Sequence, residues 1–340
     1  MTDVKTPSSG RRRDWIPEEP IEFAPVFVWP PQPRKLAAYL FSWGGFLWPW
    51  RAIWLGLAVG SWYWLSPSLS EARSLEVGWI ATIFIRNLVF IWVIAGGIHL
   101  VLYTLKLQGK DLKHDPRWLF VGRRTFLFRS QVRDNVFWSC VSGVTIWTAW
   151  EVLFFYGYAH GWVPYLAWSD NPVLFVLMFP VVVIFRKIHF YFTHRMLHWP
   201  PLYRSAHYLH HKNTNPGPWS GMAMHPVEHL IYLSSVAIHF VVASHPVHMM
   251  FNIFETALAP AHGHTGFQGR TVKGRLPVGD YFHWLHHRYF EGNYGELTIP
   301  LDRWFGTFRD SPEAYRVAAD RRPTERHYAL AGEEPTQPGS

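Results

Sequence analysis

Residues 87–105, NLVFIWVIAGGIHLVLYTL, carry no formally charged side chain. A helix crosses the hydrocarbon core of a bilayer in roughly 20 residues, so this run is long enough to span. It also limits the fold, because backbone inside lipid must satisfy its own hydrogen bonds. Similar runs flank it. Residues 137–157 hold one carboxylate, Glu151, and residues 171–185 hold no charge. The latter reaches spanning length if the helix continues past Arg186 and Lys187 through IHFYF, with those two side chains snorkelling. Residues 36–65 are apolar apart from Arg51 and a few small polar groups, and Pro49 divides them. They make either one tilted span or an interfacial helix followed by a short span.

Loop charge tests this reading independently through the positive-inside rule. The 106–136 connection carries eight cations: Lys106, Lys110, Lys113, Arg117, Arg123, Arg124, Arg129 and Arg133. The 66–86 connection carries two and the 158–171 connection none, while the N-terminal tail and the segment after the fourth run are basic. That alternation fits four spans with both termini cytoplasmic and disfavours a soluble bundle of buried helices. A fifth apolar region, 230–259, is interrupted at Ser244, His245 and Pro246. Its halves are about 13 to 15 residues, or roughly 20–22 Å of helix, which suits a re-entrant or interfacial hairpin better than a span.

The ends of the chain are polar. Residues 1–35 are rich in proline and carry Arg11, Arg12 and Arg13, which reads as a disordered or surface-lying tail. The arginines lead into WIPEEP instead of an apolar stretch, so no signal peptide is expected. Residues 311–340 form a polar tail without a lipidation or retention signal. On that ground a bacterial inner membrane is favoured over the endoplasmic reticulum. The net charge of +8 is assigned to the cytoplasmic face, and no motif supports nucleic-acid binding. The single cysteine, Cys140, excludes an intrachain disulfide framework, a thiolate zinc cluster and a Cys-ligated iron–sulfur centre.

Histidine is the second constraint. Of 20 histidines, 16 lie between His189 and His287. His194 and His198 form HRMLH; His207, His210 and His211 form HYLHH; His283, His286 and His287 form HWLHH. His225 and His229 form HPVEH, and His262 and His264 form HGH. Helical positions i, i+3 and i+4 share a face, so each HxxHH is expected to aim three imidazoles at one point. Burying so many imidazoles without partners would cost a few kcal/mol each, and metal binding removes that cost. Eight to ten ligands exceed what one ion accepts, so two metals are implied. His99, His114, His160 and His327 stand alone and are read as structural.

Imidazole admits zinc, iron, copper and nickel. The chain has neither the HExxH of a zinc hydrolase nor the Glu-x-x-His of soluble di-iron bundles. A histidine-rich site at the end of a membrane helix points to a non-haem di-iron centre acting on a lipid with O2. A dizinc membrane hydrolase is the alternative. A metal transporter fits less well, since its ligands would be spread through several spans.

HRMLH, HYLHHK, the HP of MAMHPVEH, the HGH stretch and FHWLHHRYFEGNYGELTIPLDRWFGTF resemble the fatty acid hydroxylase and sterol desaturase superfamily. The likeness covers roughly residues 180–310 and is greatest to the sterol C5-desaturase branch. The resemblance implies an all-α integral membrane fold of about four transmembrane helices, with a helical cytosolic cap over a histidine-bound dimetal site. It divides the chain into an N-terminal tail (1–35), transmembrane helices with their loops (36–185), a catalytic region (186–310) and a C-terminal tail (311–340).

By the same resemblance His194, His198, His207, His210, His211, His283, His286 and His287 match metal ligands. His262 takes the place of an isolated ligand, and a slip of two residues would exchange it for His264. His225, His229 and His189 are further candidates, as ligands or beside them. Asn293 and Asp302 are candidates for holding imidazoles through their second nitrogen. Glu228 is either a partner of the site or solvated, and Glu151 is a functional candidate by its place in a span. His239, His245 and His248 read as structural, and the tryptophans at 43, 48, 50, 54, 62 and 64 as an interfacial belt.

The implied cofactors are two iron ions with O2 as co-substrate, zinc being able to replace iron in purified protein. The implied substrate is a membrane lipid: a sterol, an acyl chain or a relative. Neither a G-x-G-x-x-G fingerprint nor an HPGG haem motif occurs. A separate electron donor is therefore expected, either a ferredoxin or a cytochrome b5 with its reductase.

Overall fold

The computed structural model describes residues 15–18 and 20–320. It is helical, with one short antiparallel ribbon of β1 (Gly269–Arg270) and β2 (Leu276–Val278). The long helices are α3 (Val77–Thr104), α4 (Gln131–Ala159) and α5 (Pro172–Leu197), and all three are long and apolar enough to cross a membrane. Less than half of the most apolar stretch of each is buried within the protein.

The first apolar run is not a single helix, and Pro49 stands at the N-cap of its second part. A nine-residue α1 (Pro33–Phe41) is followed by a turn and then by α2 (Trp50–Trp64) of 15 residues. Of the two expectations for this run, the broken helix is the one observed. At the rise of a helix α2 covers only about 22 Å, short of a full span.

Residues 226–263 form a helical hairpin inside the bundle. Its first arm is α7 (Pro226–Leu233), extended as a 3-10 helix over Ser234–Phe240, and its second is α8 (Pro246–Gly263). His245 caps α8, its Nδ1 accepting from Val247 N. At the tip Ser244 N donates to Pro164 O, and Ser244 Oγ pairs with Tyr158 and His239. His248 bonds the carbonyl of Phe175, at the start of α5. The tip thus reaches the end of the bundle opposite the histidine motifs, so the hairpin runs through the bundle instead of lying across one end of it. Nearly every residue of α8 is buried. Asn252, Glu255 and Thr256 are tolerated because their neighbours are protein and not lipid, and their polarity is why the segment reads poorly as a span.

One ion pair ties the early spans together. Arg86 on α3 donates to Glu151 on α4 at 2.5 Å, with Asn87 on the same oxygen at 2.7 Å. Both partners are fully buried. Glu151 is therefore paired and holds α3 to α4. The second nitrogen of the guanidinium reaches Leu65 O and Ser66 Oγ past the end of α2.

The remaining elements gather at the histidine-bearing end. They are α6 (residues 200–211), α9 (Tyr281–Tyr289), α10 (Leu301–Trp304) and α11 (Pro312–Asp320). The basic 106–130 loop packs there too, His114 N donating to Gly266 O and Gln268 N to Leu112 O. From Trp15 onward the N-terminal segment packs on the protein: Trp15 stacks on His114, and Phe23 is buried against Phe282 and Phe308. Likewise the C-terminal segment starts as α11, with Tyr315 stacked on Tyr289. The arginines at 11–13, His327 and the PTQPGS end lie outside the described residues.

Removing one member of a buried ion pair costs about 3–5 kcal/mol, whereas replacing both with apolar groups is often neutral. Glu151→Ala is accordingly expected to lower the thermal unfolding midpoint in detergent sharply. Arg86→Met combined with Glu151→Leu is expected to recover most of that loss.

Candidate metal centre

Two groups of imidazoles meet where α5, α6, α8 and α9 converge. His194, His198, His207, His211 and His286 form the first, and His210, His264, His283 and His287 the second. Within each group one nitrogen per ring lies within 4.8 Å of every other. The rings of the two groups are neighbours, His210 and His211 being 5.7 Å apart between centroids and His283 and His286 5.5 Å.

The expectation that each HxxHH converges on one point is not met. His207 and His211 go to the first group and His210 to the second; His283 and His287 go to the second and His286 to the first. Helix geometry explains the split. At about 100° per residue, i and i+4 are about 40° apart, while i+3 lies about 60° away on the other side of i. Each motif therefore serves both groups, in opposite sense, and HRMLH gives its i, i+4 pair to the first.

Hydrogen bonds at the far ring nitrogen fix several of these rings. The Nδ1–H of His194 donates to Tyr294 O at 2.7 Å, that of His286 to Gly292 O at 2.7 Å, and that of His264 to Pro260 O at 2.9 Å. His207 Nδ1 pairs with Glu228 Oε1 at 2.7 Å, both side chains being buried. Such bonds set the tautomer and leave Nε2 free toward a metal. Gly292 can place its carbonyl there because its φ of +104 suits glycine, and a Cβ would stand 2.6 Å from Thr307 O.

The Nε2 atoms face one another. His198 approaches His207 at 3.1 Å and His286 at 3.2 Å, His211 approaches His286 at 3.1 Å, and His264 approaches His283 at 3.0 Å. Both nitrogens of His287, and Nδ1 of His210 and of His211, are buried without a hydrogen-bond partner among the described residues. Burial, then the neighbouring imidazoles, holds His198, His207, His210, His211, His283, His286 and His287 well below the usual histidine range. Burial also lowers His264 to about 4. Neutral imidazoles whose lone pairs converge fit a pair of borderline metal ions.

Some expected positions lie elsewhere. His262 is in neither group; its ring stacks on Trp50 at 4.6 Å. His264 stands in its place, because α8 ends between the two residues and turns the second toward α9. His225 caps α7 through Val227 N, His229 is satisfied by Ser142 Oγ and Met222 O, and His189 bonds Ser234 Oγ. Asn293 and Asp302 do not bond an imidazole. Asn293 ties Phe282 and Arg309, and Asp302 accepts from Tyr294 N, Gly295 N and Thr307 Oγ1. They hold the loop whose carbonyls receive His194 and His286, one step further from the rings than expected.

Arg186 and Lys187 do not snorkel. Both are buried and face inward, where Arg186 bridges Glu255 and Glu296 at 3.2 Å each and Lys187 pairs with Glu296. Arg51 on α2 joins them, 3.0 Å from Glu255. Two adjacent cations inside an apolar run, with a carboxylate inside a later one, were the sequence signal for this network. It lines a cavity of about 1210 Å³ that also reaches His194, His207, His210, His264 and His283, with Trp54, Phe190, Met224 and Tyr232 among its apolar walls.

Residues 179–307 match the fatty acid hydroxylase family. Over this region the chain is similar to the fatty acid hydroxylase and sterol desaturase superfamily. A Δ7-sterol-C5(6)-desaturase from Nicotiana tabacum is 33% identical over 165 residues, covering 45% of this chain and 54% of that one. A Δ7-sterol 5(6)-desaturase from Aspergillus fumigatus is 31% identical over 143 residues, covering 42% and 40%. One from Saccharomyces cerevisiae is 31% identical over 133 residues, covering 37% and 34%. The chain thus matches about half the length of these superfamily relatives or less. They are fungal and plant proteins and lend no support to a bacterial inner membrane. No solved structure matches the chain.

Since the two groups are separate, His198→Ala and His264→Ala are each expected to lose about half of the metal found in the parent protein. His262→Ala is expected to keep all of it. Elemental analysis of the purified variants reads both outcomes.

Proposed function

We propose that the chain is an O2-dependent membrane oxidoreductase that hydroxylates or desaturates a lipid, with two iron ions as its resident metals. The observation that carries this reading is the pair of all-imidazole groups, five and four strong, beside a largely apolar cavity between helices. His194, His198, His207, His211 and His286 would hold one ion, and His210, His264, His283 and His287 the other. Bound iron would supply redox chemistry with O2 strong enough to attack an unactivated C–H bond, which a hydrolase has no need of.

The chain's own part is holding and screening. Tyr294 O, Gly292 O, Pro260 O and Glu228 keep the rings in the tautomer that presents Nε2. Trp54, Phe190, Met224 and Tyr232 provide a wall against which an aliphatic chain or ring system packs while water is kept out. The product gains an oxygen atom, or else loses two hydrogens to leave a double bond. Electrons come from a separate donor, a ferredoxin or a cytochrome b5 with its reductase.

The names of the relatives support a sterol or related lipid as substrate. Residues 36–185 would serve as the membrane anchor and 186–310 as the catalytic region. The histidine-bearing end is proposed to face the cytoplasm, since the cation-rich 106–130 loop packs against it.

Lipid mass spectrometry on membranes from cells with and without the protein tests the proposal. Appearance of species with one more oxygen or two fewer hydrogens, lost in His286→Ala, is the expected result. Identical lipid profiles, with iron loaded and electron donors supplied, would overturn it.

A further inference from the structure

The network of Arg51, Arg186, Lys187, Glu255 and Glu296 has no part in holding the imidazoles, yet all five residues line the same cavity. It is expensive to build. Each ion has left water, and such clusters seldom stabilise a fold more than apolar packing would. It also draws on three separate elements, α2, α5 and α8, and on the loop after Gly295.

Its position is set by helix geometry. Arg186 precedes His194 by eight residues on α5, and Glu255 precedes His264 by nine, so about 12–14 Å of rise separates network from ligands. A molecule held at both places is oxidised well away from the part the network holds.

Its charge decides what that part is. Arg51 and Arg186 share Glu255, and Arg186 and Lys187 share Glu296. Among the lining charges that are not exposed, Asp280, which caps α9 through His283 N, and Glu228, bonded to His207, join the two acids of the network against its three cations, while the other lining cations, Lys35 and Arg270, are exposed. Away from those exposed positions no cation is left over for a carboxylate or phosphate, which would also meet the buried acids. What the network offers the cavity is a donor and an acceptor that each remain partly exposed: Arg51 at 17% and Glu296 at 27%. Behind them Arg51 Nε, Arg186 Nε and Glu255 Oε2 are buried with no partner among the described residues, so the network does not saturate itself. A hydroxyl, which donates once and accepts through two lone pairs, suits such a wall.

We infer that this network anchors the hydroxyl of an uncharged lipid alcohol and so selects it over acidic lipids. The inference rests on the proposed reading of the cavity as a lipid site. The Trp50 and Trp54 rings in its wall report occupancy by fluorescence.

The test is titration of detergent-solubilised, metal-loaded protein with hexadecanol, its methyl ether and palmitate, and with a Δ7-sterol and its methyl ether. The two alcohols tell an acyl from a sterol source. At least one is expected to bind about tenfold or more tighter than its ether, and palmitate to bind no better than the ether. Glu296→Gln and Arg51→Gln, at the two exposed positions, are expected to erase the preference while retaining metal. Equal binding of alcohol and ether, tighter binding of palmitate, or no binding of any of these lipids would overturn the anchor. O2 consumption and product formation are read separately, so an oxidase indifferent to the hydroxyl defeats this inference alone.

Discussion

Nine imidazoles buried in two adjoining groups repel one another as soon as any of them takes up a proton. Their ring nitrogens also cannot all be satisfied by each other, as the bare nitrogens of His287 show. Such an arrangement is stable only if most rings are neutral, if their far nitrogens are bonded, and if something of positive charge occupies the points of convergence. Much of the surrounding structure answers one of these needs. The carbonyls of Gly292, Tyr294 and Pro260 and the carboxyl of Glu228 take ring protons. Asp302 and Asn293 fix the loop that supplies two of those carbonyls.

The membrane helices meet the other requirement, which is precision. α5 runs from the far end of the bundle to His194 without a break, and α8 runs beside it to His264. Ligands placed at the ends of long packed helices inherit the rigidity of the bundle. The buried pair of Arg86 and Glu151 joins α3 to α4, and the network around Glu255 joins α2, α5 and α8. Charge inside the bundle is in each case matched by charge from another helix or from the loop after Gly295.

Much of this was legible in the sequence because two signals are strong locally. Uncharged length marked α3, α4 and α5, and the i, i+3 and i, i+4 spacings together marked eight of the nine imidazoles. The rest depends on neighbours that a linear reading does not see. The hairpin arms carry Ser235, His239, Asn252 and Glu255, which look unfit for lipid and are fit because protein surrounds them. The choice between His262 and His264 stayed open in the sequence because only the end of α8 decides which of the two turns toward the other imidazoles. Arg186 and Lys187 were read against a lipid surface, whereas their carboxylate partners lie 69 and 109 residues away in sequence. Residues 15–32 lacked apolar periodicity, and their order comes from aromatic contacts with His114 and Phe282.

In the proposed metal centre, nitrogen ligands from two groups of histidines, and little else of the protein, surround a pair of metal ions. X-ray absorption at the iron edge of protein reconstituted anaerobically tests it most directly. The account predicts a first shell dominated by nitrogen, the multiple-scattering pattern of imidazole rings, and a metal neighbour beyond them. A shell built mainly from carboxylate oxygen, or protein that binds no iron while correctly folded, would contradict it.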